Sequence, residues 1–281
     1  MRNLRIVRIV LALAVFACAN LFFFGLAEFA APLFRLQLLP AVLSANVLAI
    51  VAVLSATVLF GRVYCSIVCP MGVFQDGIVR LARLCRRNRP MRKRMFPAPP
   101  RFVRYVALAA SVALIAFGFV SFGALLDGYS LYGRIATQVF KPAYSLALNL
   151  VAVLQANAGH PYAIREEVFV RGSCALMVSV AGVVGIGALV WWRGRLFCNT
   201  LCPVGALLAI AAKRPAVRIA IDPDACARCG LCASVCRCGA IDHVDGRVDD
   251  SSCVRCLDCL AACRKGAIGL SSGWRQGGKR K

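Results

Sequence analysis

The sequence predicts an all-α membrane domain of four transmembrane helices, paired as two repeated hairpins over residues 1–215. A small α+β domain over residues 216–281 follows it. Three observations predict this: four long uncharged apolar runs, a motif that occurs twice at the ends of two of them, and a cysteine-rich segment after Pro215 that repeats itself.

The apolar fraction of the 281 residues is 60%, above the roughly 45–50% of soluble domains. The excess is concentrated in the runs Ile9–Leu26, Leu38–Phe60, Tyr105–Leu126 and Cys174–Trp192. Each is near the roughly 20 apolar residues that a bilayer-spanning helix needs. Helix is the form expected, because every amide must bond within its own segment where there is no water. The run Ala143–Leu154 is too short to span and is expected to lie as an interfacial or re-entrant helix on the outer side.

The net charge of +22 would suit a nucleic acid, but the basic residues flank the apolar runs, so no nucleic-acid partner is expected. They also orient the chain. Arg2, Arg5 and Arg8 precede the first run, and the first loop sets Glu28 against Arg35. The second loop is dense in Arg86, Arg87, Arg89, Arg92, Lys93 and Arg94. The third mixes Arg134, Lys141, Arg165 and Arg171 with Asp127, Glu166 and Glu167. The region from Arg193 is basic again, so the positive-inside bias predicts both termini on the cytoplasmic side of a multi-pass protein. A cleavable leader ending near Ala27–Ala31 is the competing reading of the first run, whose apolar stretch exceeds the usual 7–15 residues or so.

Gly61-Arg-Val-Tyr-Cys-Ser-Ile-Val-Cys-Pro-Met-Gly closes the second run, and Gly194-Arg-Leu-Phe-Cys-Asn-Thr-Leu-Cys-Pro-Val-Gly closes the fourth. Each is G-R-apolar-aromatic-C-x3-C-P-x-G, and two such hairpins would bring the motifs together about a pseudo-two-fold axis. Cysteines at i and i+4 share a helix face, and Pro is tolerated at a first helical turn. Three readings stay open for Cys65, Cys69, Cys198 and Cys202: a shared four-thiolate site for zinc or an iron–sulfur cluster, redox-active thiols, or a structural helix end.

Most of the 16 cysteines fall in short-spaced sets, which is ligand spacing rather than a disulfide framework. Cys226, Cys229, Cys232 and Cys236 form C-x2-C-x2-C-x3-C, and Cys253, Cys256, Cys259 and Cys263 repeat it. In this two-cluster [4Fe–4S] spacing the fourth cysteine of each run binds the other cluster. Cluster A then takes Cys226, Cys229, Cys232 and Cys263, and cluster B takes Cys253, Cys256, Cys259 and Cys236. So small a segment cannot build a sufficient core, and metal binding is expected to supply much of its folding energy. Ungapped alignment of the repeats sets Cys238 opposite Lys265, which favours Cys236 as the ligand. Gly239–Ile241 and Gly266–Ile268 close the copies, and neither has the usual Pro after its fourth cysteine. Arg228, Arg237, Arg255, Arg264 and Lys265 would raise the cluster potentials, or simply face solvent or anionic lipid.

Cys18 and Cys174 read as packing residues and Cys85 as a free thiol. The stretch 86–104, with Pro90, Pro97, Pro99 and Pro100, reads as a poorly ordered loop touching anionic headgroups or a soluble partner. Glu28, Asp127, His160, Glu166 and Glu167 are outer-side candidates for a proton-accepting base; no catalytic residue is identified.

Four runs, paired C-x3-C-P motifs and two C-x2-C-x2-C-x3-C sets resemble the NapH/MauN-type membrane ferredoxins, and in part the C-terminal half of NosR. The resemblance implies an electron-transfer subunit of a quinol dehydrogenase-type complex in the cell inner membrane. It would pass electrons from membrane quinol through two [4Fe–4S] clusters, with a further metal or cluster at the C-x3-C-P cysteines, to partner redox proteins of a periplasmic system. The alternatives are an assembly or maturation factor for a periplasmic redox enzyme, and a redox sensor or scaffold.

Overall fold

The computed structural model describes residues 2–27, 31, 34, 37–86, 96–157, 167–168 and 172–272. Glu28, Arg35, Arg87, Arg89, Pro90, Arg92, Lys93, Arg94, His160, Arg165, Glu166 and Arg171 lie outside the described residues. Among the described residues, three helices are long and apolar enough to cross a membrane. The first is α1 (Arg2–Phe24). The second runs from α8 (Gly128–Ile135) through a π-helical turn (Ala136–Phe140) into α9 (Lys141–Asn157). The third is α10 (Ser173–Arg193). Their outer faces expose large apolar side chains such as Leu11, Leu150 and Val184, as lipid-facing helices do.

The other two apolar runs are not single rods. Leu38–Phe60 divides into α2 (Leu38–Leu43) and α3 (Val47–Phe60). Ala45 takes a left-handed φ of 52°, and the Asn46 side chain caps α3 by accepting from the Ala49 amide. The start of α2 lies back at the first motif, where the Leu38 amide donates to the Tyr64 hydroxyl. Tyr105–Leu126 likewise breaks. α6 (Arg101–Ala116) ends at Gly118 with φ 84°, and α7 (Val120–Gly123) folds back so that Gly123 lies against Ile115 and Ser111 of α6.

The run Ala143–Leu154, expected as an interfacial piece, is instead the far half of a 29-residue apolar helix, Gly128–Ala156. At about 1.5 Å per residue that helix is roughly 44 Å long. Arg134 and Lys141 interrupt it and hold its mean hydropathy at 1.3, against 2.4 for α1 and 2.2 for α10, which is why its apolar stretch reads as short.

Each motif opens with a short helix, α4 (Tyr64–Ile67) or α11 (Leu196–Thr200), and continues into α5 (Pro70–Cys85) or α12 (Pro203–Ala211). The C-terminal part is β1 (Val217–Ile221), α13 (Leu231–Ser234), β2 (Ile241–Asp242), β3 (Arg247–Val248), α14 (Asp258–Ala262) and β4 (Ile268–Ser272). β1 pairs antiparallel with β4, and β2 with β3, so two strand–helix–strand units interlock. One hydrophobic core runs from Met71, Leu131 and Val190 between the helices to Ile219, Val254 and Ile268 beneath the strands.

Candidate functional site

The two motifs share backbone geometry at equivalent glycines and cysteines. Gly61 and Gly194 both have positive φ (77° and 66°), with ψ of −163° and −142°, a conformation that glycine adopts without penalty. Cys69 and Cys202 are extended N-cap residues with φ of −76° and −73°, each followed by Pro at the first helical position. A Cβ on Gly72 would sit 2.0 Å from the Cys65 carbonyl oxygen, and one on Gly205 would sit 2.1 Å from that of Cys198.

The arginines cross over. Arg62 of the first motif donates to the Cys198 carbonyl of the second at 2.9 Å, and Arg195 donates to the Cys65 carbonyl at 2.9 Å. Both side chains are fully buried. The expected juxtaposition of the motifs is therefore present, and buried arginines hold it by reaching backbone oxygens of the opposite motif.

Cys65, Cys69, Cys198 and Cys202 are all buried and close enough to influence one another electrostatically. The Gln75 Nε2 lies 3.2 Å from the Cys198 sulfur, and the Gly205 amide donates to the Cys202 sulfur at 3.4 Å. Burial pushes the thiols of Cys69 and Cys202 well up, and that of Cys198 to about 11, with Arg195 opposing the rise at Cys198. Among the described residues no three His, Cys, Asp or Glu side chains converge closely enough for a lone metal ion.

Asp127 also belongs here rather than with the outer-side groups. It caps α8 by accepting from the Ser130 amide, and a Cβ on the next residue, Gly128, would lie 3.7 Å from the Cys202 sulfur. Burial raises its carboxyl to about 6 against the pull of the Ser130, Tyr129 and Gly128 amides. The fold-back of α6–α7 carries Asp127 to the motif level.

A buried ionic lattice ties the motifs to the C-terminal part. Asp76 on α5 pairs with Arg8 at 2.6 Å, Arg195 at 2.6 Å and Arg237 at 2.5 Å. Arg237 also pairs with Asp258 at 2.6 Å, and Asp258 binds Arg5 at 2.9 Å. The Arg237 carbonyl accepts the Arg195 amide at 2.9 Å. Arg104 donates to the Asn199 carbonyl at 2.7 Å and to the Ser252 hydroxyl at 2.9 Å. Arg237 and Arg255, read from sequence as part of a basic fringe, are buried, whereas Arg228, Arg264 and Lys265 are exposed. In the stretch read as a loop, Phe96 is buried and Arg101–Arg104 already belongs to α6. Cys18 is half-buried, and Cys85 and Cys174 are exposed.

The repeated cysteine runs share backbone features too. Positive φ recurs at Arg228 and Arg255, at Gly230 and Leu257, and at Gly239 and Gly266, each pair equivalent in the repeat. Two cavities result. The first is walled by Cys226, Cys229, Cys232 and Cys263, with Ile221 and Ile268. The second is walled by Cys236, Cys253, Cys256 and Cys259, with Cys238, Ile219 and Leu257. The fourth cysteine of each run therefore lines the cavity of the other run.

The Ala240 amide donates to the Cys236 sulfur at 3.3 Å, as amides do to a ligating thiolate. Burial pushes the Cys236 and Cys253 thiols up to about 12. Thiols that surround a cavity without converging at single-ion spacing fit a cluster of four irons and four sulfides better than one zinc, whose sulfur bonds of about 2.3 Å draw its ligands together. The first cavity reaches solvent, with Cys229 exposed and Cys226 half-buried; the second is buried. Cys238 stands between it and the motifs, where Arg195 and Arg62 act on its thiol.

A family described as "4Fe-4S binding domain" matches residues 44–92 and again 175–220. Each match carries one C-x3-C-P motif, so the family recognises the repeat. The regulatory protein NosR of Pseudomonas aeruginosa is 30% identical over 69% of this chain and 22% of its own length. The putative electron transport protein YccM of Escherichia coli is 24% identical over 70% of this chain and 47% of its own. The methylamine utilization ferredoxin-type protein MauN of Paracoccus denitrificans is 28% identical over 63% and 48%. The chain thus spans about a fifth of the first relative and about half of the other two. No solved structure matches. With its transmembrane-type helices, paired motifs and thiol-walled cavities, the chain is similar to MauN and YccM and to part of NosR, and it carries the repeat that the 4Fe-4S binding family matches.

Proposed function

We propose that the chain is a quinol-linked electron-transfer subunit of the cell inner membrane that passes electrons to a periplasmic redox system. Two [4Fe–4S] clusters sit in its C-terminal part. Cys226, Cys229, Cys232 and Cys263 hold the first, and Cys253, Cys256, Cys259 and Cys236 hold the second. The carrying observation is the pair of cavities, each walled by three cysteines of one run and the fourth of the other. Such clusters, when bound, supply one-electron redox chemistry.

The residues around them do the rest. Ile219, Ile241 and Val254 keep water from the second cavity, while the Ala240 amide donates to the Cys236 sulfur and so favours added negative charge there. The motif thiols, the second cavity and the solvent-reaching first cavity follow one another in space. That order supports Cys65, Cys69, Cys198 and Cys202 as part of the electron path, as a further cluster or as redox thiols. In this reading α1, α8–α9 and α10 cross the bilayer with α3 as a shorter fourth crossing, and the termini and both motifs face the cytoplasm.

Anaerobic purification with iron and sulfide analysis and EPR tests the assignment. About eight irons per chain are expected for two clusters, and about twelve with a third at the motif thiols. Colourless, iron-free protein, or a C-terminus labelled from the periplasm, would refute it.

A further inference from the structure

A cleft of about 70 Å³ opens between α1 and α5. Ile9, Ala12 and Leu13 of α1 face Val73 and Gly77 of α5 across it, and Arg8, Asp76 and Arg80 supply its charge. Positive charge is in excess here. Asp76 is shared by Arg8, Arg195 and Arg237, and Asp258 by Arg5, Arg83 and Arg237, so two carboxylates serve five arginines. Arg80 is a further arginine on the same cleft. It is exposed and has no ion pair or hydrogen bond among the described residues. Partial burial and then the charge of Arg237 pull its guanidinium below its ordinary range. Gly77, Arg80, Leu81 and Leu84 fall on one face of α5. Leu81 and Leu84 are more than half exposed on that face, as Leu13 is on α1. Basic and exposed apolar side chains mixed on one helix face suit a membrane interface.

We propose that this cleft binds the phosphate of an anionic phospholipid, with Arg80 on the phosphate oxygens and an acyl chain along Leu13 of α1. Binding here does not depend on the quinol-linked reading. Three properties of the cleft select this ligand. A phosphate diester brings the negative charge that the arginines lack, and it accepts charge-assisted hydrogen bonds from a reachable guanidinium. At the ~10–15 Å³ that a water needs, the space holds about five waters, the size of one phosphate group and not of a ring system. The exposed Leu13, Leu81 and Leu84 beside it offer apolar surface to the lipid's chains, which a free phosphate would leave uncovered.

The test uses the full chain, purified anaerobically in detergent, with bound lipid counted by native mass spectrometry. Dioleoyl-phosphatidylglycerol is expected to be retained in preference to dioleoyl-phosphatidylcholine. Arg80→Gln should weaken phosphatidylglycerol binding about fivefold, the contribution of one arginine facing an anionic headgroup. The melting temperature of the lipid-free protein should not change, because Arg80 bonds nothing in the fold. Leu13→Trp fills the apolar wall from an exposed position and should also lower retention. Arg101→Gln removes an exposed arginine away from the cleft and should leave retention as it is. Equal losses with Arg80→Gln and Arg101→Gln would reveal general charge attraction and overturn the site, as would equal retention of the two lipids. Displacement of phosphatidylglycerol by inorganic phosphate at the same concentration, with Leu13→Trp without effect, would make the ligand a free phosphate and overturn the lipid assignment.

Discussion

Asp76→Asn is the sharpest perturbation of this molecule. The carboxylate receives Arg8, Arg195 and Arg237 at 2.5–2.6 Å and is 5% exposed. An amide of the same shape leaves the buried guanidinium groups of Arg8 and Arg195 without their counter-charge and leaves Arg237 only Asp258. Removing one partner of a buried ion pair costs about 3–5 kcal/mol. That is roughly two to four decades in the folded-to-unfolded ratio at about 1.4 kcal/mol per decade. At about 2–4 °C per kcal/mol, the melting temperature should fall by about 6–20 °C. Arg101→Ala is the control, because it breaks a 3.4 Å pair in which Arg101 is 70% exposed, and such pairs contribute about 1 kcal/mol or less. Thermal melts in nanodiscs, with proteolysis of the C-terminal part as a second probe, give the comparison. Combining Asp76→Asn with Arg237→Met should fall short of additivity by about 1–3 kcal/mol. A melt of Asp76→Asn indistinguishable from that of Arg101→Ala would refute the claim that the lattice holds the two parts together.

The same group predicts a pH dependence. Burial alone would push the Asp76 carboxyl up, but Arg195, Arg237 and Arg8 outweigh it and hold the group well below its usual range. A depressed folded-state value means that its stabilisation is complete above about pH 4 and is lost as pH falls through the folded value. The difference in melting temperature between wild type and Asp76→Asn should therefore shrink in acid and stay constant from pH 5 to 7. Gly72→Ala or Gly205→Ala drives a Cβ onto a carbonyl oxygen at 2.0 or 2.1 Å and should abolish accumulation of folded protein. Gly77→Ala on the same helix as Gly72 meets nothing within 4 Å and should stabilise by about 0.5–1 kcal/mol, read by thermal melts. Cys236→Ser should lose one cluster's EPR signal and about four irons, whereas Cys238→Ser should keep both.

The cysteine sites were legible because ligand spacing is local. Two runs of C-x2-C-x2-C-x3-C predict the crossed grouping of cysteines that walls the two cavities, whereas Cys238, set aside by the repeat offset, lines the second cavity beside Cys236. The motif pairing was legible for the same reason. The course of the helices was less so. Gly118 and Asn46 break apolar runs from within, where hydropathy has no voice, and Arg134 and Lys141 hide a long helix behind two charges. Least legible were the buried arginines. At helix ends Arg62 and Arg195 read as orientation signals, and beside a cysteine Arg237 reads as a solvated face; nothing local announces partners such as Cys198, Cys65 or Asp76.

The crossed arginines also constrain biosynthesis. Each bond joins residues 136 or 130 positions apart. At about 5–20 residues per second, the ribosome needs roughly 7–27 s to deliver the second motif after the first. Throughout that interval the nascent first hairpin carries a guanidinium whose acceptor does not yet exist. A prematurely terminated chain would leave the Arg62 guanidinium without the Cys198 carbonyl that it bonds in the finished fold. A gene cut between the halves would work only where both fragments are made together.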